Sequence, residues 1–521
     1  MSGTDRRKRL RRKAWVALLT VLLAAAAMTM AASALHLRWD MTENGMYTLS
    51  DSTRSVLDKL DEPVMIRAYI TKDLPQPYGQ LRRFVADMLR SYHEAGHGKA
   101  GFEIVDPASD PNIAASLTAL NIPKVQVQVV ENDQAQVKQG YMAVVVEYLD
   151  KKETIPIVRG EQGFEYLLTR KIKKLTGKGR IKIGVVDGFG ARGISQLQAL
   201  KQQVSDDYEL VTVEPDKKPV GKDLKAVIVA GFNQPPSGAE RYALDQFRMS
   251  GRGILILAGN VEPQLRQGFQ VKSVDAKANA WLNDFGIAVG SGLVMDPRAA
   301  RVNVNQRRGI FTFRSVVDYP FVPEVEGMDK TNPITGRLQA VSVPFASPLE
   351  WFGDGPHGDV LLASSAMASV QAGPPFDVDP LVPMRKRFDG LTRRQVNLAM
   401  VEQGVAKSAF SSPPQGVSST VKHMASTKHS RVVVVGSRAL LDDQFMSGGN
   451  LIFVLNTLDW LAGDEALIEL RSRGVIQRPL AALTRGGRSM YKGLWIFGLP
   501  LLVVVIGLWR WRRLRSLEAS L

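Results

Sequence analysis

Two long apolar runs frame the chain, and between them hydrophobic residues recur at the spacings that mark helices and strands. Ala14 to Leu35 is 22 residues without a charged side chain, enough to cross a hydrocarbon core of roughly 30 Å at about 1.5 Å per helical residue. Gly493 to Trp509 supplies 17 more between Lys492 and Arg510, the short limit for a span. Its Trp495 and Trp509, with Trp511, suit the membrane interface, and Pro500 is tolerable in such a helix.

After the first run, Ser50 is placed to cap a short helix that Pro63 ends. Val64 to Ile70 then reads as a strand. Leu81, Phe84, Val85, Met88 and Leu89 form one face of a helix over about 78–94. Strands at Phe102–Val105, Val125–Val130 and Tyr141–Tyr148, a short helix near Ile113–Leu120 and a helix at Glu161–Leu175 complete a β-α-β-α-β-β-α order, the order of a thioredoxin-type module. From Arg180 the pattern changes to short, fully apolar strands alternating with helices: IKIGVV, Glu209–Val213, Lys225–Ala230, Gly253–Leu257 and RVVVV at Arg431–Val435. The helices fall near 195–205, 237–249 and 448–461. Strands buried on both faces predict a parallel sheet covered by helices, in the manner of flavodoxin or amidotransferase folds. Residues 370–385 and 403–430 read as loop-like excursions.

The expected fold class is therefore α/β, with two extracytoplasmic domains between N- and C-terminal transmembrane helices. The layout is a basic tail at 1–13, transmembrane helix 1 at 14–35, the thioredoxin-like domain at 36–178 and the flavodoxin/amidotransferase-like domain with insertions at 179–475. A linker at 476–492, transmembrane helix 2 at 493–509 and a second basic tail at 510–521 follow.

The net charge of +16 raises the question of a nucleic-acid partner, and its distribution answers it. Residues 1–13 hold seven Lys or Arg against Asp5, and residues 510–521 hold four Arg against Glu518, so nine of the sixteen charges lie in these tails. Basic ends bordering apolar runs mark the cytoplasmic side, with attraction to anionic lipid, and no nucleic-acid partner is expected. This places both termini in the cytoplasm and residues 36–492 in the periplasm of a bacterial inner membrane. The alternative for the first run is a cleaved signal peptide, for which Ala32-Ser33-Ala34 offers a small-residue site; the length of the run favours an uncleaved anchor.

The chain has no cysteine, which excludes thiol nucleophiles, thioredoxin redox chemistry, a Cys-dependent amidotransferase and thiolate metal sites. His93-Glu94-Ala95-Gly96-His97 matches H-E-x-x-H literally, but the glycines crowding it end the helix there and no third ligand follows, so no metal is expected. No P-loop and no G-x-S-x-G is present. Neither a catalytic residue nor a cofactor is assigned. In a parallel sheet ligands bind beyond the carboxyl ends of the strands, which here present Asp187-Gly188, Asn233 and Asn260 as a candidate ligand crevice.

Four segments resemble the GldG family of auxiliary ABC-transport subunits named for gliding motility. They are Asp40-Met41-Thr42-Glu43 with Tyr47-Thr48-Leu49-Ser50; Phe102 to Pro107; Gly163-Phe164-Glu165-Tyr166 with Ile172-Lys173-Lys174-Leu175-Thr176; and Asn450 with Leu455 to Glu465, followed by Arg471-Ser472-Arg473. The family often shows a Gly-His-Gly-Glu-like turn after the first strand of the second domain, where this chain has Asp187-Gly188-Phe189-Gly190. The resemblance implies a non-catalytic accessory subunit whose partners are an ABC permease and a cytoplasmic ABC ATPase that hydrolyses the ATP, coupled to a periplasmic substrate or envelope protein. The alternative is a stand-alone, membrane-anchored sugar- or peptide-binding protein.

Overall fold

A computed structural model describes residues 48–463, apart from short stretches within them, together with residues 15, 16 and 20 and parts of 485–512. The expected first membrane helix, the Asp40 to Tyr47 motif, the Arg471 to Arg473 motif and both basic tails lie almost wholly outside the described residues. No helix among the described residues is long and apolar enough to cross a membrane. Residues 1–475 and 476–521 form two compact units.

The first part of the larger unit is built on a four-stranded mixed sheet. Helix α1 (Asp51–Asp58) starts on Ser50, whose hydroxyl accepts the Thr53 N–H. Strand β1 (Val64–Ile70) follows. Helix α2 (Leu81–Ala95) buries Leu81, Phe84, Val85, Met88, Leu89 and Tyr92, a single stripe at three- and four-residue spacing. Then come β2 (Ala100–Val105), α3 (Pro111–Ala119), β3 (Val125–Glu131), β4 (Gln134–Gly140), β5 (Met142–Tyr148), β6 (Lys151–Ile155) and α4 (Phe164–Thr176). The sheet order is β2-β1-β5-β6, with β1 parallel to β2 and antiparallel to β5.

One expected strand is displaced. Val125–Val130 does not join this sheet but pairs with β4 in a separate hairpin. The edge position belongs to β6, whose KKETI text lacks an apolar signature. Its Lys151 and Lys152 are exposed, and charged, half-polar text is how edge strands avoid pairing with other chains.

The second sheet has nine strands. β7 (Ile181–Val186), α5 (Gln198–Val204), β8 (Tyr208–Val213), β9 (Leu224–Ala230), α6 (Gly238–Met249) and β10 (Gly253–Leu257) alternate as the apolar runs predict. Far along the chain, β11 (Ile287–Val289), β12 (Leu349–Trp351), β13 (Asp359–Ala363), β14 (Asn397–Lys407) and β15 (Ser426–Val435) complete it before helix α7 (Gly448–Ala462). The order is β11-β12-β14-β15-β10-β9-β7-β8, with β13 also on β14. β8, β7, β9, β10 and β15 are mutually parallel; β14, β12 and β11 add on antiparallel. In chain order the parallel strands run 2-1-3-4-5, so the order reverses between β7 and β9.

Alternate residues of each strand feed opposite cores. Ala226, Ile228, Leu255 and Leu257 pack with α5 and α7 on one face. Val227, Val229, Ile254 and Ile256 pack with Leu244 and Phe247 of α6, Trp281 and Phe285 on the other. This two-sided burial explains the unbroken apolar text of these strands.

The excursion expected at 403–430 resolves differently. Its ends are β14 and β15, and the described residues Ser408, Ala409 and Met424 next to those strands bond to α6. There Asp245 accepts the Ser408 hydroxyl at 2.6 Å and the Ala409 N–H at 3.1 Å, while Gln246 accepts the Met424 N–H at 2.7 Å.

Candidate functional site

The reversal of strand order between β7 and β9 opens a crevice at their carboxyl ends, the place where a sheet of this kind accepts a ligand. Here the chain's own side chains fill it. The loop after β7 is Asp187-Gly188-Phe189-Gly190, and the loop after β9 is Gly231-Phe232-Asn233. The Asn233 N–H donates to the Phe189 carbonyl at 3.2 Å. Gly190, at φ +78°, lies so close that a Cβ there would meet the Asn233 side chain at 2.8 Å. Phe189 is buried edge-on against Phe232 and Trp281, with ring centroids 5.9 and 5.8 Å away.

Two arginines close the remainder. Arg438, just after β15 and 4% exposed, donates from Nη1 to the Phe232 carbonyl, from Nη2 to Asn233 Oδ1 at 2.9 Å and from Nε to Glu262 Oε2 at 2.7 Å. Gly231 adopts φ +70°, and a Cβ there would meet the Arg438 guanidinium carbon at 3.2 Å, so glycine leaves the guanidinium its room. Arg192 donates to the Ala230 and Arg438 carbonyls and to the Asp442 carboxylate. Burial pushes the Asp442 carboxyl above its ordinary range, and the neighbouring Arg192 opposes the shift without cancelling it.

The sequence-derived crevice residues are therefore brought only partly together. Asp187, Gly188 and Asn233 surround the switch point. Asp187 is exposed beside Gly193, and Gly188 packs against Pro215 and Glu240. Asn260 faces elsewhere: its side chain donates to the Gly290 carbonyl at 2.8 Å and its N–H to Ser347 Oγ at 2.9 Å, on the wall of a separate 520 Å³ cavity. Arg192 and Arg438 were not legible as site residues. The one textual sign was arginine following a buried VVVVGS strand end.

His93 and His97 do not share a helical face. α2 ends at Ala95, His97 has a positive φ of 48°, and His93 Nδ1–H donates to the Ala100 carbonyl at 3.0 Å. Among the described residues no group of three or more His, Asp or Glu could hold a metal ion.

The other sequence motifs have structural employment. Glu165 Oε1 accepts the Ser50 N–H, the Ser50 hydroxyl and the Thr53 hydroxyl at 2.7–2.8 Å, joining Ser50 of one motif to Glu165 of another. Tyr92 adds hydrogen bonds to the Glu165 carbonyl and to Thr169, and burial pushes its phenol well up. In α7, Asn450 accepts the Ser342 N–H, Asn456 donates to the Ile334 carbonyl, and Asp459 accepts the Tyr208 hydroxyl. Arg431 lies over the Trp460 ring, and Gly463 ends the helix at φ +74°.

These features define a mixed α/β protein organised around one large mixed sheet, with Phe189, Arg192 and Arg438 packed at its switch point. A family model described as "ABC-type uncharacterized transport system" matches residues 180–458, and a model of a domain of unknown function matches residues 43–147. The chain belongs to this family of auxiliary components of ABC-type transport systems. An uncharacterized protein of Borreliella burgdorferi is 19% identical over 317 residues, covering 60% of this chain and 61% of the relative. Among solved structures, an IFT52 N-terminal domain is similar over 54% of this chain and 96% of its own, at 16% identity and a TM-score of 0.33. A putative ThuA-like protein from Parabacteroides merdae follows at 14% identity, 54% and 90% coverage and a TM-score of 0.29. PurLQS from Thermotoga maritima follows at 11%, 54% and 99%, and 0.25.

Proposed function

We propose that the chain is a non-catalytic, membrane-anchored subunit of an ABC transporter, working beside a separate permease and a cytoplasmic ATPase. The observation that carries this reading is the family match over the large sheet domain, to which the closed crevice adds a reason why that domain acts as a scaffold. Where a ligand would enter between β7 and β9, Phe189 and Arg438 already satisfy the apolar and polar surfaces.

The four-stranded sheet with its 2-1-3-4 order is, on this reading, a thioredoxin-type module. The nine-stranded sheet is a flavodoxin- or amidotransferase-type module with an antiparallel extension. Both stand in the periplasm, held by helices at 14–35 and 493–509, with the basic tails against anionic lipid on the cytoplasmic side. Support for the second anchor comes from residues 485–509, where Leu494, Trp495, Ile496, Leu501, Val504, Ile506, Leu508 and Trp509 are all exposed in the smaller unit. Such an apolar surface suits lipid or a permease helix better than water.

Affinity capture of the chain at native expression, from its own membranes in mild detergent, tests this reading. A multi-span permease and an ABC ATPase in the captured material are the expected result; recovery of the chain alone would count against it. A cysteine-free chain also permits a topology test. Cysteine introduced at exposed Leu149 or Val405 is expected to react with a membrane-impermeant maleimide in spheroplasts, and cysteine at residue 3 only after permeabilisation.

A further inference from the structure

A second cavity, of about 700 Å³, lies between α6 and the 215–222 segment that connects β8 to β9. Neither the switch-point crevice nor any sequence motif includes it. Its volume falls in the range of pockets that take small organic ligands. The α6 side offers Ala239, Tyr242, Ala243 and Phe247, one apolar stripe at three- and four-residue spacing, and the opposite wall offers Pro215, Pro219 and Val220.

The charge around this apolar lining is one-sided. Lys217, Lys218, Lys222 and Arg252 border the cavity against a single carboxylate, Asp216. Lys217 is engaged by Glu214 at 2.6 Å, whereas Lys218 and Lys222 have no ion-pair partner among the described residues. The Arg252 guanidinium is held in place: Nη2 donates to the Lys222 carbonyl at 2.7 Å, Nη1 to Ser250 Oγ at 2.9 Å, and its carbon sits 5.5 Å from the Phe247 ring centroid. Two of its five N–H groups are thus used, leaving a positioned donor set beside an apolar floor. Fixed cations beside a concave apolar wall discriminate by charge as well as by shape.

We propose that this cavity binds an organic anion with an apolar body, the aromatic or alkyl part lying along Tyr242, Ala243 and Phe247 and the carboxylate or sulfonate facing Lys218, Lys222 and Arg252. The inference is independent of the transporter reading, because it uses only the cavity and its charges.

The test uses the full chain in phosphatidylcholine nanodiscs, with 4-(trifluoromethyl)benzoate as probe and fluorine NMR as readout. Saturable binding is expected, together with binding of the neutral 4-(trifluoromethyl)benzamide that is about tenfold weaker. The double variant K218E/K222E changes two exposed side chains; it is expected to leave the melting temperature in place and weaken benzoate binding about tenfold. Ala243→Trp, which fills the cavity from α6, is expected to abolish binding. The proposal is overturned if benzoate binds no better than to empty nanodiscs, if the amide binds equally well, or if the lysine double variant binds like the original chain. Octanoate displacing the probe would extend the class to alkyl chains, and displacement by benzoate alone would restrict it to aromatic ones; each is support.

Discussion

Ser50 and Glu165 stand 115 residues apart in the chain, yet the Glu165 carboxylate takes both the N–H and the hydroxyl of Ser50 at 2.8 Å. A third hydrogen bond, from Thr53 at 2.7 Å, falls on the same oxygen. The start of α1 is thereby fixed to the first turn of α4, and two segments that look unrelated in the text are one buried polar knot.

Removing the acceptor leaves the Ser50 N–H buried without its partner and the Ser50 and Thr53 hydroxyls with only the longer bonds to each other and to Thr169. Glu165→Ala is expected to destabilise the chain by about 2–3 kcal/mol. Glu165→Gln, which keeps one oxygen acceptor, is expected to cost less. Urea denaturation of the full chain followed by circular dichroism checks both, and an unchanged midpoint for Glu165→Ala would contradict the knot.

Arg438 is the buried cation of the crevice; its partners Phe232 and Asn233 come from the loop after β9, and Glu262 from the short strand Val261–Pro263 that follows β10. Arg438→Ala is expected to lose about 3 kcal/mol, because a buried carbonyl and a carboxylate lose their donors together. Arg438→Lys keeps the charge without the fork and is expected to recover only part of that loss. In a double-mutant cycle with Asn233→Ala, a coupling of about 1 kcal/mol is expected; additive effects would show that the hydrogen bond to Asn233 contributes nothing.

Gly253 begins β10 directly beneath α7. A Cβ at this position would sit 2.6 Å from Leu461 Cβ and 2.8 Å from its Cα. Gly253→Ala therefore pushes α7 away from the sheet, at a cost of about 1–3 kcal/mol. Because the clash includes backbone, adding Leu461→Ala is expected to relieve little of it. Full rescue by the second substitution would show that only the side chains collide.

Acid stability should follow Glu147 and Glu153. Burial pushes both carboxyls up, but hydrogen bonds and charge from Lys152 and Arg67, and from Lys171 and Lys174, outweigh it and hold both below the ordinary range. A carboxyl lowered in the folded state binds fewer protons there than in the unfolded chain. Its stabilisation is therefore present above the unfolded value of about 4.3 and lost as pH falls through the folded one. Melting temperature measured from pH 6 down to pH 3 is expected to fall less steeply below about pH 4.5 in the Glu147→Gln, Glu153→Gln double variant. An identical profile would contradict the assignment.

The parallel core of the larger sheet was legible because burial on both faces leaves an unambiguous text: β9, β10 and the VVVV of β15 are apolar at nearly every position. The antiparallel extension was not. β11 and β12 are three-residue strands, too short to carry a period, and β14 pairs with β15 across an irregularity between Gly404 and Ala406. At the crevice, the strand ends located Asp187, Gly188 and Asn233, because glycine and asparagine after an apolar run mark the loop. The text could not show Arg438 turning inward, since a lone arginine reads as a surface charge until its partners are known. Asn260 carried the same loop signal and serves instead to hold the Gly290 and Ser347 segments.

The most direct test of the role as an auxiliary transporter subunit is ATP hydrolysis that travels with the chain. After affinity capture from native membranes in mild detergent and size-exclusion chromatography, vanadate-sensitive ATPase activity is expected to co-elute with this chain, a permease and an ATPase, while the chain purified alone is inactive. Elution of the chain by itself, with no activity and neither partner, would contradict that role; so would hydrolysis by the chain in isolation.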